Sequence, residues 1–166
     1  LTSVALMTQV IDLRIAVPLL VIPILATNFF QAIRGGNSRF LISEYWPLIV
    51  PACVFTFAGV YILMKVDTAL IIMILGTVIT VYALVNIFAF HVTVSQKHKF
   101  WLSPVTGIAA GLMGGMTGVI AIPTMIYFQA LGLKKDLFVQ ALGITFFIAG
   151  IFLLLALWQR QILNLE

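Results

Sequence analysis

The sequence predicts an all-α, polytopic membrane protein, and three observations carry that prediction. Of 166 residues, 63% are hydrophobic, and only 8% are charged, with a mean hydropathy of +1.19. A soluble domain carries about 25% charged residues, and five Asp plus Glu leave too little polar surface to cover a globule in water. The few charges also fall between long apolar runs rather than inside them, so the solvent for most of the chain is lipid.

Each charged side chain costs about 2.5 to 3.5 kcal/mol at a bilayer centre and therefore marks a water boundary. Between these marks lie four uncharged stretches: Ile15 to Ile33, Tyr45 to Met64, Thr68 to Phe90 and Leu137 to Gln159. Each is roughly 20 residues long and reaches about 30 Å as a helix, one hydrocarbon core. Four full transmembrane helices are expected. Tyr45, Trp46 and Tyr61 bracket the second span, Trp101 opens the fourth apolar stretch and Trp158 closes the last, the places where interfacial aromatics anchor a helix. Gly35-Gly36-Asn37 is expected to stop the first helix, and Asp67 and Asp136 to cap the third and the last.

The run from Phe100 to Leu133 breaks this pattern, because it would form a single helix of about 50 Å, too long for one crossing. It is expected to be a broken or re-entrant helical hairpin. Ser103-Pro104 reads as its start, Gly114-Gly115 and Gly118 as the meeting point of two half-helices, and Gly132 as its end. Basic residues favour re-entry over crossing. A hairpin places Arg34, Arg39, Lys97, Lys99, Lys134 and Lys135 on one face and only Arg14, Lys65 and Arg160 on the other, whereas a crossing divides them almost evenly. The positive-inside rule then puts Gly36, Lys97 and Lys135 in the cytoplasm.

Gly107, Gly111, Gly114, Gly115 and Gly118 form three overlapping G-x-x-x-G spacings, which let another helix approach backbone to backbone. The same glycines also fit a binding role. A break within the membrane frees the N–H groups at the start of the following half-helix, where the dipole is positive and an anion is favoured. Transporters place substrate at such interruptions. Asn28 and Gln31 share one helix face, with Arg34 three residues on, and serve either as interhelical hydrogen-bonding groups or as donors to the same site. Thr124, Gln129, Gln140 and Thr145 carry the same two readings. Pro18, Pro23, Pro47 and Pro51 are expected to kink their helices. The candidate substrate-binding residues are therefore Asn28, Gln31, Gly114, Gly115, Thr117 and Gly118.

Several function classes are excluded at this level. The net charge is +4, but Lys134-Lys135 is the only adjacent basic pair, so no stripe tracks a nucleic acid backbone. The single cysteine, Cys53, rules out an internal disulfide. His91 and His98 read as interfacial. No Ser, His and Asp constellation, no paired intramembrane carboxylates and no H-E-x-x-H appear, so neither an enzyme nor a metal or other cofactor is expected. With no Asp, Glu, Lys or Arg inside a span, a carboxylate proton relay is unsupported, and an amide-bearing interior suits a small anion better than a cation.

The stretch Gly111-Leu-Met-Gly-Gly-Met-Thr-Gly-Val-Ile-Ala-Ile-Pro-Thr-Met-Ile-Tyr-Phe-Gln-Ala-Leu-Gly-Leu-Lys-Lys135 resembles the second-repeat signature of the TauE/SafE family, the sulfite exporters. The run from Pro18 through Asn28 and Gln31 to Arg34-Gly-Gly36 resembles the helix that follows the family's first Gly-rich element. The resemblance implies a two-repeat transporter fold, multi-pass in a bacterial inner membrane and exporting sulfite, a sulfonate or a related sulfur oxyanion by alternating access. Its partners would be a small anionic substrate and the bilayer. It further implies that residues 1–99 are the remainder of a first repeat with three transmembrane helices, and 100–166 the start of a second. Leu1 to Val10 resembles the tail of the first Gly-rich element, and Asp12-Leu13 echoes Asp136-Leu137, each preceding an apolar helix. The chain is expected to be a fragment, lacking about two helices at its end. The competing reading is a non-transporting assembly or anchoring subunit whose glycines only pack helices.

Overall fold

A computed structural model describes residues 13–87 and 96–159, and their regular structure is helical. Along these residues run α1 Leu13–Ile33, α2 Ser38–Lys65, α3 Thr68–Ile87, α4 Gln96–Thr117, α5 Ala121–Ala130 and α6 Lys135–Gln159. Among the described residues, α2 and α6 are long and apolar enough to cross a membrane. His91, Arg160 and the segments 1–12 and 160–166 lie outside the described residues, as does the end of the expected third span at Phe90.

The helices pack by small residues. Gly107, Gly111 and Gly115 form a stripe down α4, and a methyl built on them would lie 2.2 Å from the Leu48 carbonyl oxygen, 2.3 Å from that of Ala52 and 2.3 Å from that of Thr56. Both sets advance by four residues, so α2 and α4 run parallel with their backbones in contact. From the α2 side, Gly59 meets the Leu112 carbonyl oxygen at 2.4 Å in the same way. A second, antiparallel contact joins α1 to α6, where Gly143 faces Gln31 and Ala32 while Gly150 faces Leu25.

Two apolar clusters fill the bundle at opposite ends. One gathers Leu41, Tyr45, Leu48, Tyr127, Phe128 and Leu142 near the start of α2. The other gathers Val60, Leu63, Ile71, Val119, Leu153 and Leu157 near its end. Many of the largest apolar side chains point outward instead, among them Phe30, Phe40, Val54, Met73 and Val105, as expected where lipid replaces water. Trp46, Trp101 and Trp158 are 55%, 74% and 69% exposed, in keeping with interfacial anchors. Tyr45 departs from that expectation. At 4% exposure it packs edge-on to Tyr127 and Phe128, because α5 folds back over it.

Chain direction explains the long Gly-rich run. α4 continues to Thr117, the chain breaks over Gly118, Val119 and Ile120, and α5 returns so that the Tyr127 hydroxyl reaches the Ser103 hydroxyl at 2.5 Å. The element is a hairpin of one long and one short arm, not two equal halves. Extending the α2–α4 register places the break about 10 Å short of the Lys65 end of α2. Lys97, Lys99, Lys134 and Lys135 thereby lie at the same end of the bundle as Arg34 and Arg39, with Lys65 at the other.

Two boundary expectations are corrected. Ser103-Pro104 does not start a helix, because α4 begins at Gln96. Pro104 forfeits one backbone bond inside it, while the Ser103 hydroxyl donates to the Lys99 carbonyl at 2.9 Å. Asp136 is not a cap but sits in the first turn of α6, where its charge still complements the dipole. The others hold: Asp67 accepts from the Ala69 N–H at 3.1 Å, and Gly35 and Gly36 end α1 at φ 116° and 74°.

Candidate functional site

Two features stand out, a helix break inside the bundle, where the sequence places function, and a cleft at one end. At the break, Gly118 takes φ 71°, a conformation that costs an L side chain about 1 to 2 kcal/mol. Its N–H still donates to the Gly114 carbonyl at 2.8 Å, so the turn tightens directly out of the helix. The Thr117 hydroxyl closes it, donating to the Met113 carbonyl at 2.7 Å and accepting from the Val119 N–H at 3.2 Å. α5 then starts at Ala121 with no side chain capping it, and Pro123 in its first turn has no N–H to satisfy. Thr117, Val119, Ile120 and Ile122 are all buried.

The six candidate residues are only partly brought together. Gly114, Thr117 and Gly118 surround the break, and the Ile120 side chain fills the space a Gly114 methyl would take, 2.3 Å away. Gly115 lies beside them but turns its Cα to α2. Asn28 is buried in α1 and donates its amide to the Ile24 carbonyl at 2.7 Å. Gln31 is exposed and level with Gly143. Ile120 packs against Ala149 on the same helix, so Gln31 stands about 9 Å along α6 from the break. The buried threonines Thr56, Thr124 and Thr145 all donate to carbonyls of their own helices, the usual resolution for a hydroxyl in an apolar setting.

The cleft is the feature sequence reasoning missed. It is an open cleft of about 800 Å³ between the α1–α2 turn and the α5–α6 turn, with Gln31, Arg34 and Asn37 on one wall and Lys134, Lys135, Asp136 and Gln140 on the other. Three cations face one carboxylate, so the cleft is electropositive. Its floor is rigid. Gln140, 1% exposed, donates its amide to the Ala32 carbonyl and to the Ser38 hydroxyl, each at 3.1 Å, while Ser38 donates to the same carbonyl at 2.7 Å. That knot ties the α1–α2 turn to α6. The signal was present as two glycine turns, each flanked by basic residues, but nothing in a linear sequence pairs turns about a hundred residues apart.

A third polar cluster holds the hairpin in place. Lys99 pairs with Glu44 and sits 4.6 Å from the Tyr45 ring centre, and the Tyr127 hydroxyl also approaches the Lys99 carbonyl at 3.4 Å. Among the described residues no group of His, Cys, Asp and Glu is arranged to hold a metal.

An α-helical bundle with lipid-facing apolar surfaces, glycine-mediated packing and a helix broken inside it defines the class of helical membrane proteins. Residues 1–166, the entire chain, match the family described as Sulfite exporter TauE/SafE, and the chain belongs to that family. It is thus a membrane protein of a transport family. Comparison with curated proteins and with solved structures found no match.

Proposed function

We propose that the chain forms part of a bacterial inner-membrane exporter of a small anion, a sulfur oxyanion such as sulfite or a sulfonate, working by alternating access. The observation that carries this reading is the match of the whole chain to a sulfite exporter family. The geometry supports it with a break inside the bundle and an uncapped helix start beside it. Substrate is held by backbone around Gly114, Thr117 and Gly118, with Gly115 setting the position of α4 against α2 and Asn28 bonded within α1, while the exposed amide of Gln31, about 9 Å along α6 from the break, meets the anion on its path. Residues 1–99 then belong to a first repeat and 100–166 to a second. With the hairpin entering and leaving by one side, each repeat holds three full crossings, an odd number, which makes the two repeats inverted relative to one another. With the basic end inside, the cytoplasm is also the negative side, and export of an anion gains about 2.3 kcal/mol per charge per 100 mV. No coupling residue is required.

The test is flux from vesicles containing the purified protein, with sulfite and a sulfonate inside and chloride as comparison. Sulfite or sulfonate efflux above protein-free vesicles is expected, and Gln31→Leu, on an exposed position, lowers it without lowering melting temperature. Efflux no faster than from empty vesicles would overturn transport. The alternative of an assembly or anchoring subunit draws on Gly107, Gly111 and Gly115, whose faces are all taken up by α2, and that null flux is the result it expects.

A further inference from the structure

We propose that the cleft between the α1–α2 and α5–α6 turns binds the phosphate of an anionic phospholipid headgroup. Arg34, Lys134 and Lys135 converge on it from two turns far apart in sequence. A guanidinium offers a planar fork to phosphate oxygens and the lysines add point charges. The first-turn N–H groups of α6, which start at Lys135, add the positive end of a helix dipole. Asp136 opposes them but leaves an excess of two positive charges.

Two observations favour a lipid over a free anion. At about 800 Å³ the cleft far exceeds what a lone tetrahedral oxyanion fills. Its cations also stand above apolar, exposed side chains. Phe30 lies one turn below Arg34, and Val139 one turn below Lys135, and both are exposed, so acyl chains descend along them while the phosphate stays at the rim. Basic pockets between transmembrane helices recognise lipid headgroups in this manner. The clamp of Gln140 on Ala32 and Ser38 holds the two walls at fixed separation, so little ordering cost accompanies binding.

The experiment is thermal unfolding of the detergent-purified full chain titrated with phosphatidylglycerol, phosphatidylcholine or inorganic phosphate. Phosphatidylglycerol should raise the melting temperature, and phosphatidylcholine and inorganic phosphate at matched concentration should not. A basic residue near an anionic surface is worth roughly a factor of five in affinity, so Arg34→Gln with Lys134→Gln and Lys135→Gln should weaken the lipid effect about a hundredfold. Asp136→Asn should strengthen it, by roughly the same factor of five with the opposite sign. Should the triple variant fail to fold, Lys134→Gln and Asp136→Asn singly still must shift the midpoint in opposite directions. Equal stabilisation by phosphatidylcholine, or none of these variants moving the midpoint, would overturn the site. A full shift with inorganic phosphate alone would overturn the lipid assignment. None of the altered residues is assigned to transport, and because Gln31 shares the cleft wall the lipid titration is read on the four charged positions and flux on Gln31→Leu, which keeps the two outcomes distinguishable.

Discussion

Glycine at 111 and glycine at 76 are chemically the same residue in opposite surroundings. A methyl at Gly111 would lie 2.3 Å from the Ala52 carbonyl oxygen, with two further Ala52 backbone atoms within 3.1 Å, whereas one at Gly76 meets nothing within 4 Å. Gly111→Leu should therefore force α4 away from α2 and cost about 3 kcal/mol or more, while Gly76→Leu should leave stability unchanged, both read from melting temperature in detergent. Gly118 is a third case. At φ 71° it is held by backbone conformation, so Gly118→Ala strains the turn as well as any substrate contact, and flux through that variant alone does not separate binding from folding. The glycine spacings were legible in the sequence, but their roles were not. Gly114 makes room for Ile120 and Gly115 for α2, and neighbouring positions on one helix acquire such different partners only when the second helix is in place.

At the scale of elements, hydropathy located the helices and the glycine turns ended them, since the cost of a charge in lipid and the φ of a glycine are local properties. Which arm of the Gly-rich hairpin would be long was not local. It follows from α4 lying against α2 along the small-residue stripe through Gly115, which keeps the first arm helical past Gly114. The return arm is fastened by the Tyr127 and Ser103 hydroxyls at 2.5 Å, both buried. Tyr127→Phe should cost about 1 kcal/mol, Ser103→Ala more because its bond to the Lys99 carbonyl goes as well, and the double variant little more than Ser103→Ala alone, because the shared bond is lost once. Thermal unfolding of the four proteins reads this directly, and additive losses would mean that the two groups act separately. The cleft escaped a linear reading for the same reason as the arm lengths: Gln140 meets Ala32 and Ser38 only after four intervening helices have folded.

For the molecule as a whole, transport, inverted repeats and a basic inner face all depend on the α4–α5 hairpin entering and leaving by one side. The basic residues Arg34, Arg39, Lys97, Lys99, Lys134 and Lys135 then share that side, and the positive-inside rule predicts that it is the cytoplasmic one. Single cysteines in a Cys53→Ser background, placed at Asn37, His98, Lys135 and Lys65 and labelled with a membrane-impermeant thiol reagent in oriented vesicles, measure this most directly. Positions 37, 98 and 135 should label from the cytoplasmic face and position 65 from the opposite one, and labelling of 98 and 135 from opposite faces would contradict the account.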